Sequence, residues 1–229
     1  MVISPNQRRM SRRPVQLPLP APRTWGGRRS GAGRKVTPGR RPGVPHLRRP
    51  PHVAARPVHV TLRAVEAICC LRAAHVFPLV RRALAVSSRE DFRIIHFTIQ
   101  NDHVHLIAEA DTGRALSSGV RGLAIRIARV VNRALGRSGR IWGDRYHARA
   151  LTTPRAVRNV LVYVLNNFRK HLKHVTGIDP CSSAAWFTGW SERPALDASG
   201  PPPVAAARTW LARVGWLRHG AIELHEQPK

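Results

Sequence analysis

Two histidines one residue apart, His103-Val104-His105, and a tyrosine followed four residues later by an asparagine, Tyr163 and Asn167, carry the groups for one metal-assisted nucleophilic site. In a strand, residues i and i+2 leave the same face, so the two imidazoles stand side by side and can grip one divalent ion. In a helix, i and i+4 are one turn apart, which sets an amide beside a phenol. The chemistry these groups fit is attack on a phosphodiester. A divalent cation on a nonbridging oxygen offsets the charge that repels a nucleophile and orients phosphorus for in-line displacement. A phenol with an unperturbed pKa of about 10 is protonated at neutral pH, so its attack needs proton removal or help from nearby positive charge.

Position depends first on a hairpin. Phe92 to Gln100 reads as a strand, and only Asn101-Asp102 separates it from the histidine strand, which suits a two-residue turn. That turn predicts a register in which Gln100 faces His103, Thr98 faces His105 and His96 faces Ile107. On the other side, Ile99, Phe97 and Ile95 meet Val104, Leu106 and Ala108. The histidines are therefore expected on a polar face open to an ion and a charged substrate. The second element is a helix announced by Thr153 as N-cap and Pro154 at its first position, and expected to run to about His174 before Gly177. Val157, Val160, Leu161, Val164, Leu165, Phe168 and Leu172 give it a core stripe, and Tyr163, Asn167, Lys170 and His174 share a polar flank.

The other elements follow the same reading. Val58 to Leu62 is expected as a strand, part of Phe77 to Val86 as a helix with Pro78 in its first turn, Gly113 to Leu135 as a long helix, and Tyr146 to Leu151 as a last strand. Leu116, Val120, Leu123, Ile127, Val130 and Val131 form the long helix's stripe, leaving Arg121, Arg129 and Arg133 elsewhere. The order β-α-β-β-α-β plus one helix is that of an α+β split βαβ antiparallel sheet with an added C-terminal helix. About 120 residues suffice for one core.

These motifs and spacings resemble the single-tyrosine HUH transposases, in particular the REP-associated tyrosine transposase branch. The likeness spans about residues 57 to 175 and is carried by His59-Val60-Thr61-Leu62-Arg63, by Asn101 through Ile107, by Trp142 through Ala150, and by Tyr163-Val164-Leu165-Asn166-Asn167. Arg208 through Trp216 resembles the tail of some members. The resemblance implies a ferredoxin-like fold acting on single-stranded or hairpin DNA with Mg²⁺ or Mn²⁺. It also implies His103, His105 and Asn167 as metal ligands and Tyr163 as the nucleophile forming a 5′-phosphotyrosine. Lys170, Arg145, Arg121 and Arg129 are candidates for contacts to DNA or to the transition state. One departure is Phe168, which stands where the family often has a proline after the asparagine.

Composition agrees with a polyanionic partner: 39 Lys and Arg against 12 Asp and Glu give a net charge of +27. Residues 1 to 52 hold thirteen Lys or Arg and no carboxylate, with frequent Pro and Gly. A disordered basic arm is expected over residues 1–56, ahead of a domain over 57–176. No run is apolar enough for a membrane span, and no secretion signal is visible, so a cytoplasmic, nucleoid-associated protein is expected, as monomer or homodimer. Three cysteines without a Cys-x-x-Cys spacing indicate neither a disulfide framework nor a thiolate zinc site, and Cys69 and Cys70 are expected as small buried hydrophobes. Residues 177–229, rich in Pro and holding four of the six tryptophans, are expected to wrap the domain. Taken singly, a His-x-His pair or a helical tyrosine is more often an ordinary polar or packing residue; their conjunction carries the reading. The competing reading is a noncatalytic nucleic-acid-binding module of the same fold.

Overall fold

The computed structural model describes residues 49–170, 177–192, 194, 198 and 200–228. Most of the expected basic arm, together with His171, Leu172 and His174, lies outside the described residues. The chain runs β1 (Val58–Arg63), α1 (Phe77–Ala85), β2 (Phe92–Ile99), β3 (His103–Ala110), α2 (Gly113–Ala134), β4 (His147–Ala150) and α3 (Pro154–Asn166), then short 3₁₀ turns and α4 (Trp210–Arg213). The strands form one antiparallel sheet in the order β2-β3-β1-β4. This is the ferredoxin-like split βαβ arrangement with α3 added.

Alternation along the strands divides the sheet into two unlike faces. Val60, Leu62, Phe97, Ile99, Val104 and Leu106 point to one side, where α1 and α2 close over them with Val80, Leu84, Val120, Leu123 and Ile127. The helix α2 starts because Thr112 Oγ1 accepts from the Ala115 amide at 3.0 Å. Mid-helix Gly119 costs propensity but permits close approach, since a Cβ there would lie 2.3 Å from the Phe92 ring. Trp142 packs beside this core and donates its indole N–H to the Ala124 carbonyl at 2.9 Å.

The opposite face departs from expectation. It is covered over part of its area: His105 is buried and His59, Thr61 and His103 half-buried, while Arg63, His147 and Arg149 stay exposed. Ile95, Ile107 and Leu151 are covered by Val157, Leu161 and Val164 of α3 and by Phe187, Trp216 and Ile222 of the C-terminal extension. The physical reason is the amphipathic stripe of α3, which needs an apolar partner and finds it on this sheet face. The hairpin register agrees near the turn, with Thr98 opposite His105, Phe97 opposite Leu106 and His96 opposite Ile107. Upstream, a β-bulge shifts it: Ile94, not Ile95, faces Ala108, and Ile95 joins His96 on the α3 side. Strict alternation cannot foresee that extra residue. Cys69 is exposed and Cys70 half-buried, because they lie in the loop between β1 and α1 rather than in the core.

Polar anchors tie the extension to the sheet. Glu109 is fully buried; its carboxylate pairs with Arg93 at 3.3 Å and accepts from the backbone amides of Arg208 and Thr209 at 2.9 Å each. Asp179, also buried, holds Arg72 at 2.7 Å, while Arg158 clasps Glu226 at 2.6 Å. No helix among the described residues is long and apolar enough to cross a membrane. Glu109→Ala leaves Arg93 its second carboxylate, Asp111 at 3.1 Å, but removes the acceptor of the Arg208 and Thr209 amides, and is expected to cost about 1–3 kcal/mol in urea unfolding. A loss under about 1 kcal/mol would show that Glu109 is not an anchor.

Candidate active site

The covered sheet face carries a row of polar side chains in register: Thr61 lies opposite His105, Arg63 opposite His103, and His59 one same-facing position along from Thr61. Thr153 caps α3 by accepting from the Ala156 amide at 3.1 Å, Pro154 follows, and the apolar stripe then seats the helix over this row. Tyr163, on the flank of that stripe, brings its hydroxyl to 3.2 Å from His105 Nε2. The phenol and imidazole rings meet nearly at right angles with centroids 4.9 Å apart. His103 sits edge-on to His105 at 4.7 Å.

Each histidine of the pair is held through Nδ1. Asp102, in the hairpin turn, meets His103 Nδ1 at 2.5 Å and is itself bridged by Arg63 at 2.7 Å. His105 Nδ1 meets Thr61 Oγ1 at 3.1 Å and His59 Nε2 at 3.3 Å. The turn is braced by backbone bonds from Leu71 to Asn101 and from Ala64 to Asp102, at 3.0 and 2.8 Å. The α-helix ends at Asn166 rather than near His174, and Asn167 begins a 3₁₀ turn that runs to Lys170. Asn167 is buried, and its amide nitrogen has no hydrogen-bond partner among the described residues. Its neighbour Asn166 donates instead to the carbonyls of Glu226 and Glu223, at 3.0 and 3.3 Å.

Burial sets the electrostatics. His105 is pushed down to about 2 by desolvation first, then by the neighbouring His103, His59 and Arg63, against Asp102. His59 falls to about 4, through burial and then Arg149 and His147. Both imidazoles are therefore neutral at physiological pH and keep a lone pair to offer. The Tyr163 phenol moves the other way, raised above its ordinary value by burial, so it does not ionise unaided. Asp102 is opposed by burial, but its bonds to His103 and Arg63 outweigh that and hold the carboxyl below its usual range.

This donor set suits a divalent ion. An imidazole braced at its other ring nitrogen by a carboxylate, as His103 is by Asp102, is a usual form of metal-binding histidine. Asn167 lies one turn beyond Tyr163 and would coordinate through Oδ1; its unsatisfied atom, Nδ2, is a hydrogen-bond donor and is no ligand. Among the described residues no three His, Cys, Asp or Glu side chains group for an ion, so any site here rests on two imidazoles and an amide, an open set rather than a closed structural one.

The structure brings His103, His105 and Tyr163 together, with Asn167 on the next turn. Arg121 and Arg129 do not join them. Both are exposed on α2, whose buried stripe packs on the opposite face of the sheet. Arg145 is half-buried just before β4, its amide donating to Asp144 Oδ1 at 2.7 Å. Lys170 ends the 3₁₀ turn, and its side chain is outside the described residues. Sequence reasoning missed His59, Thr61 and Asp102 as members of the cluster. Alternation along β1 does put His59 and Thr61 on one face, but the partner strand across from them is long-range information.

Residues 76–167 match the family model for IS200-like transposases. Among solved structures, the chain is similar to a REP-associated tyrosine transposase bound to a REP hairpin, at 20% identity over 61% of this chain and 82% of that one, with a TM-score of 0.48. It is also similar to a Deinococcus radiodurans protein described as a candidate transposase, at 15% identity over 56% and 96% of the two chains, with a TM-score of 0.37. No curated protein matches.

The neutral buried imidazoles predict acid sensitivity. Both have folded pKa values below the unfolded value of about 6.5, so below that pH the unfolded chain binds more protons and stability falls. The loss is at most about 1.4 kcal/mol per pH unit for each ring, continuing toward pH 4 for His59 and lower for His105. Urea unfolding in chelator should show stability dropping from pH 7 to pH 5, with a shallower slope in His59→Phe. An unchanged slope in that variant would mean the ring is not buried neutral.

Proposed function

We propose, from the match of residues 76–167 to the IS200-like transposase model and from the site's geometry, that the chain is a metal-dependent DNA strand transferase that cleaves and rejoins single-stranded DNA beside hairpins. The observation that supports this reading most is the 3.2 Å hydrogen bond between the Tyr163 hydroxyl and His105 Nε2, beside the ring of His103. His103, His105 and Asn167 would hold Mg²⁺ or Mn²⁺. The ion would supply positive charge at a nonbridging phosphate oxygen. Two nitrogen donors make the set softer than the oxygen-only sites Mg²⁺ takes, so Mn²⁺ is expected to serve better.

In the proposed reaction the Tyr163 oxygen attacks phosphorus while its proton leaves toward the surrounding bases. The P–O3′ bond breaks and the departing 3′ oxygen takes up a proton, giving a 5′-phosphotyrosine ester and a free 3′-hydroxyl. A second 3′-hydroxyl attacking that ester reverses the bond changes and restores Tyr163. One phosphoester replaces another at each step, so the result is strand transfer rather than hydrolysis. The histidine pair and the phenol meet within one subunit, which supports a tyrosine serving its own subunit in a protein proposed to be a monomer or homodimer. The net charge of +27 suits a DNA partner, by an attraction that weakens with salt. Arg145, Lys170 and the exposed arginines of α2 are proposed to contact backbone phosphates rather than the reacting one, and the basic residues 1–56 to tether DNA in a cytoplasmic, nucleoid-associated protein.

The test is covalent capture. A labelled single strand bearing a hairpin, incubated with Mn²⁺ and then denatured, should leave label on the protein. Tyr163→Phe should abolish it, and His103→Ala or His105→Ala should lower it at least ~100-fold, since even changes behind a ligand cost ~10–100-fold. Label retained by Tyr163→Phe would refute the nucleophile. Chelator-insensitive binding with no adduct on any hairpin substrate would instead identify a noncatalytic DNA-binding module.

A further inference from the structure

A neutral histidine ligates through Nε2 only if its single N–H is on Nδ1, and the partner at Nδ1 decides which tautomer prevails. For His103 that partner is the Asp102 carboxylate, 2.5 Å away, which as an anion can only accept. Among the described residues no carboxylate meets His105 Nδ1. That nitrogen has the Thr61 hydroxyl at 3.1 Å, which can accept a hydrogen bond from Nδ1–H, and His59 Nε2 at 3.3 Å, which can do so when the His59 proton is on its own Nδ1. Neither contact is accidental. Thr61 is the cross-strand partner of His105, and His59 is the next residue of β1 on that face, so strand pairing sets both distances. His59 is wedged in place as well, lying tilted on the His105 ring with centroids 5.3 Å apart and edge-on to Tyr163 at 5.8 Å.

The geometry points to Thr61 and His59 as positioning residues that keep the N–H of His105 on Nδ1 and leave its Nε2 lone pair to accept from the Tyr163 hydroxyl in the ion-free chain, or to take an ion in that hydroxyl's place. In this arrangement the phenol donates to Nε2, consistent with the 3.2 Å separation. The two histidines of the motif are then oriented by different chemistry: a carboxylate in the hairpin turn for one, and a hydroxyl and an imidazole from the neighbouring strand for the other. The ligand role of His105 rests on the proposed function, whereas its tautomer is a property of the chain alone.

The experiment is long-range ¹H–¹⁵N correlation on histidine-labelled, metal-free full-length protein, followed by Mn²⁺ titration in a calorimeter. Wild type should show His105 protonated at Nδ1. Combining Thr61→Val with His59→Phe should make the Nε2–H form prominent and weaken Mn²⁺ binding ~10–100-fold, while Thr61→Ser, which keeps the hydroxyl, should behave as wild type. Wild-type His105 protonated at Nε2 would overturn the inference, as would a double variant with unchanged tautomer and Mn²⁺ affinity. Should the double variant not fold, the wild-type tautomer and the comparison of Thr61→Val with Thr61→Ser decide the matter. If the tautomer responds as expected but wild type neither binds Mn²⁺ nor forms an adduct, the positioning roles stand and the strand-transfer reading falls.

Discussion

The seating of α3 on the sheet is the constraint from which the site follows. Val157, Leu161 and Val164 bury themselves against Ile95, Ile107 and Leu151, and this apolar contact, not any polar attraction, fixes the height and rotation of the helix. Tyr163 then meets His105 because the flank of the stripe has nowhere else to point. A catalytic-looking cluster is thus a by-product of ordinary packing, maintained by side chains that never touch it. The extension reinforces the seat from behind, through Trp216 and Ile222 on the apolar side and the Arg158–Glu226 pair on the polar side.

Covering a polar face strips its groups of water, and hydrogen bonds within the chain offset that loss. His105, Thr98, Gln100 and Glu109 are all buried on the α3 side, and each has a partner: Thr98 donates to Asp179 at 3.3 Å, Gln100 donates to Thr98 at 3.0 Å, and Glu109 takes Arg93 and two amides. Asn167, on the helix side, keeps a buried amide nitrogen without a partner among the described residues. Loss of water also acts on the reactive groups. It keeps the imidazoles neutral and the phenol protonated.

Much of the fold is legible in the sequence because its signals are local. The Thr153-Pro154 start of α3, the two-residue turn at Asn101-Asp102 and the stripe of α2 each depend on residues within a few positions of one another, and the element order follows from them. The adjacency of His103 and His105 needs only strand alternation. What cannot be read is long-range. Which strand lies beside β3, and hence that Thr61 and His59 flank His105, is decided by sheet topology; that the histidine face is covered is decided by where α3 and the extension dock. The end of the helix misleads because Phe168 and Leu172 continue its apolar period, whereas the backbone tightens to a 3₁₀ turn at Asn167.

The bulge in β2 makes the strand's residue count matter more than its residue types. Between the turn and Phe97 the strand obeys simple alternation, but the doubled step at Ile95 and His96 reverses its phase, so that Phe92 and Ile94 enter the helical core and Arg93 turns to Glu109. With one residue deleted there, a guanidinium would be driven among α1 and α2 while two large hydrophobes faced the tail. Substitutions of like for like can therefore accumulate along this strand, whereas a single-codon insertion or deletion inverts half of it at once.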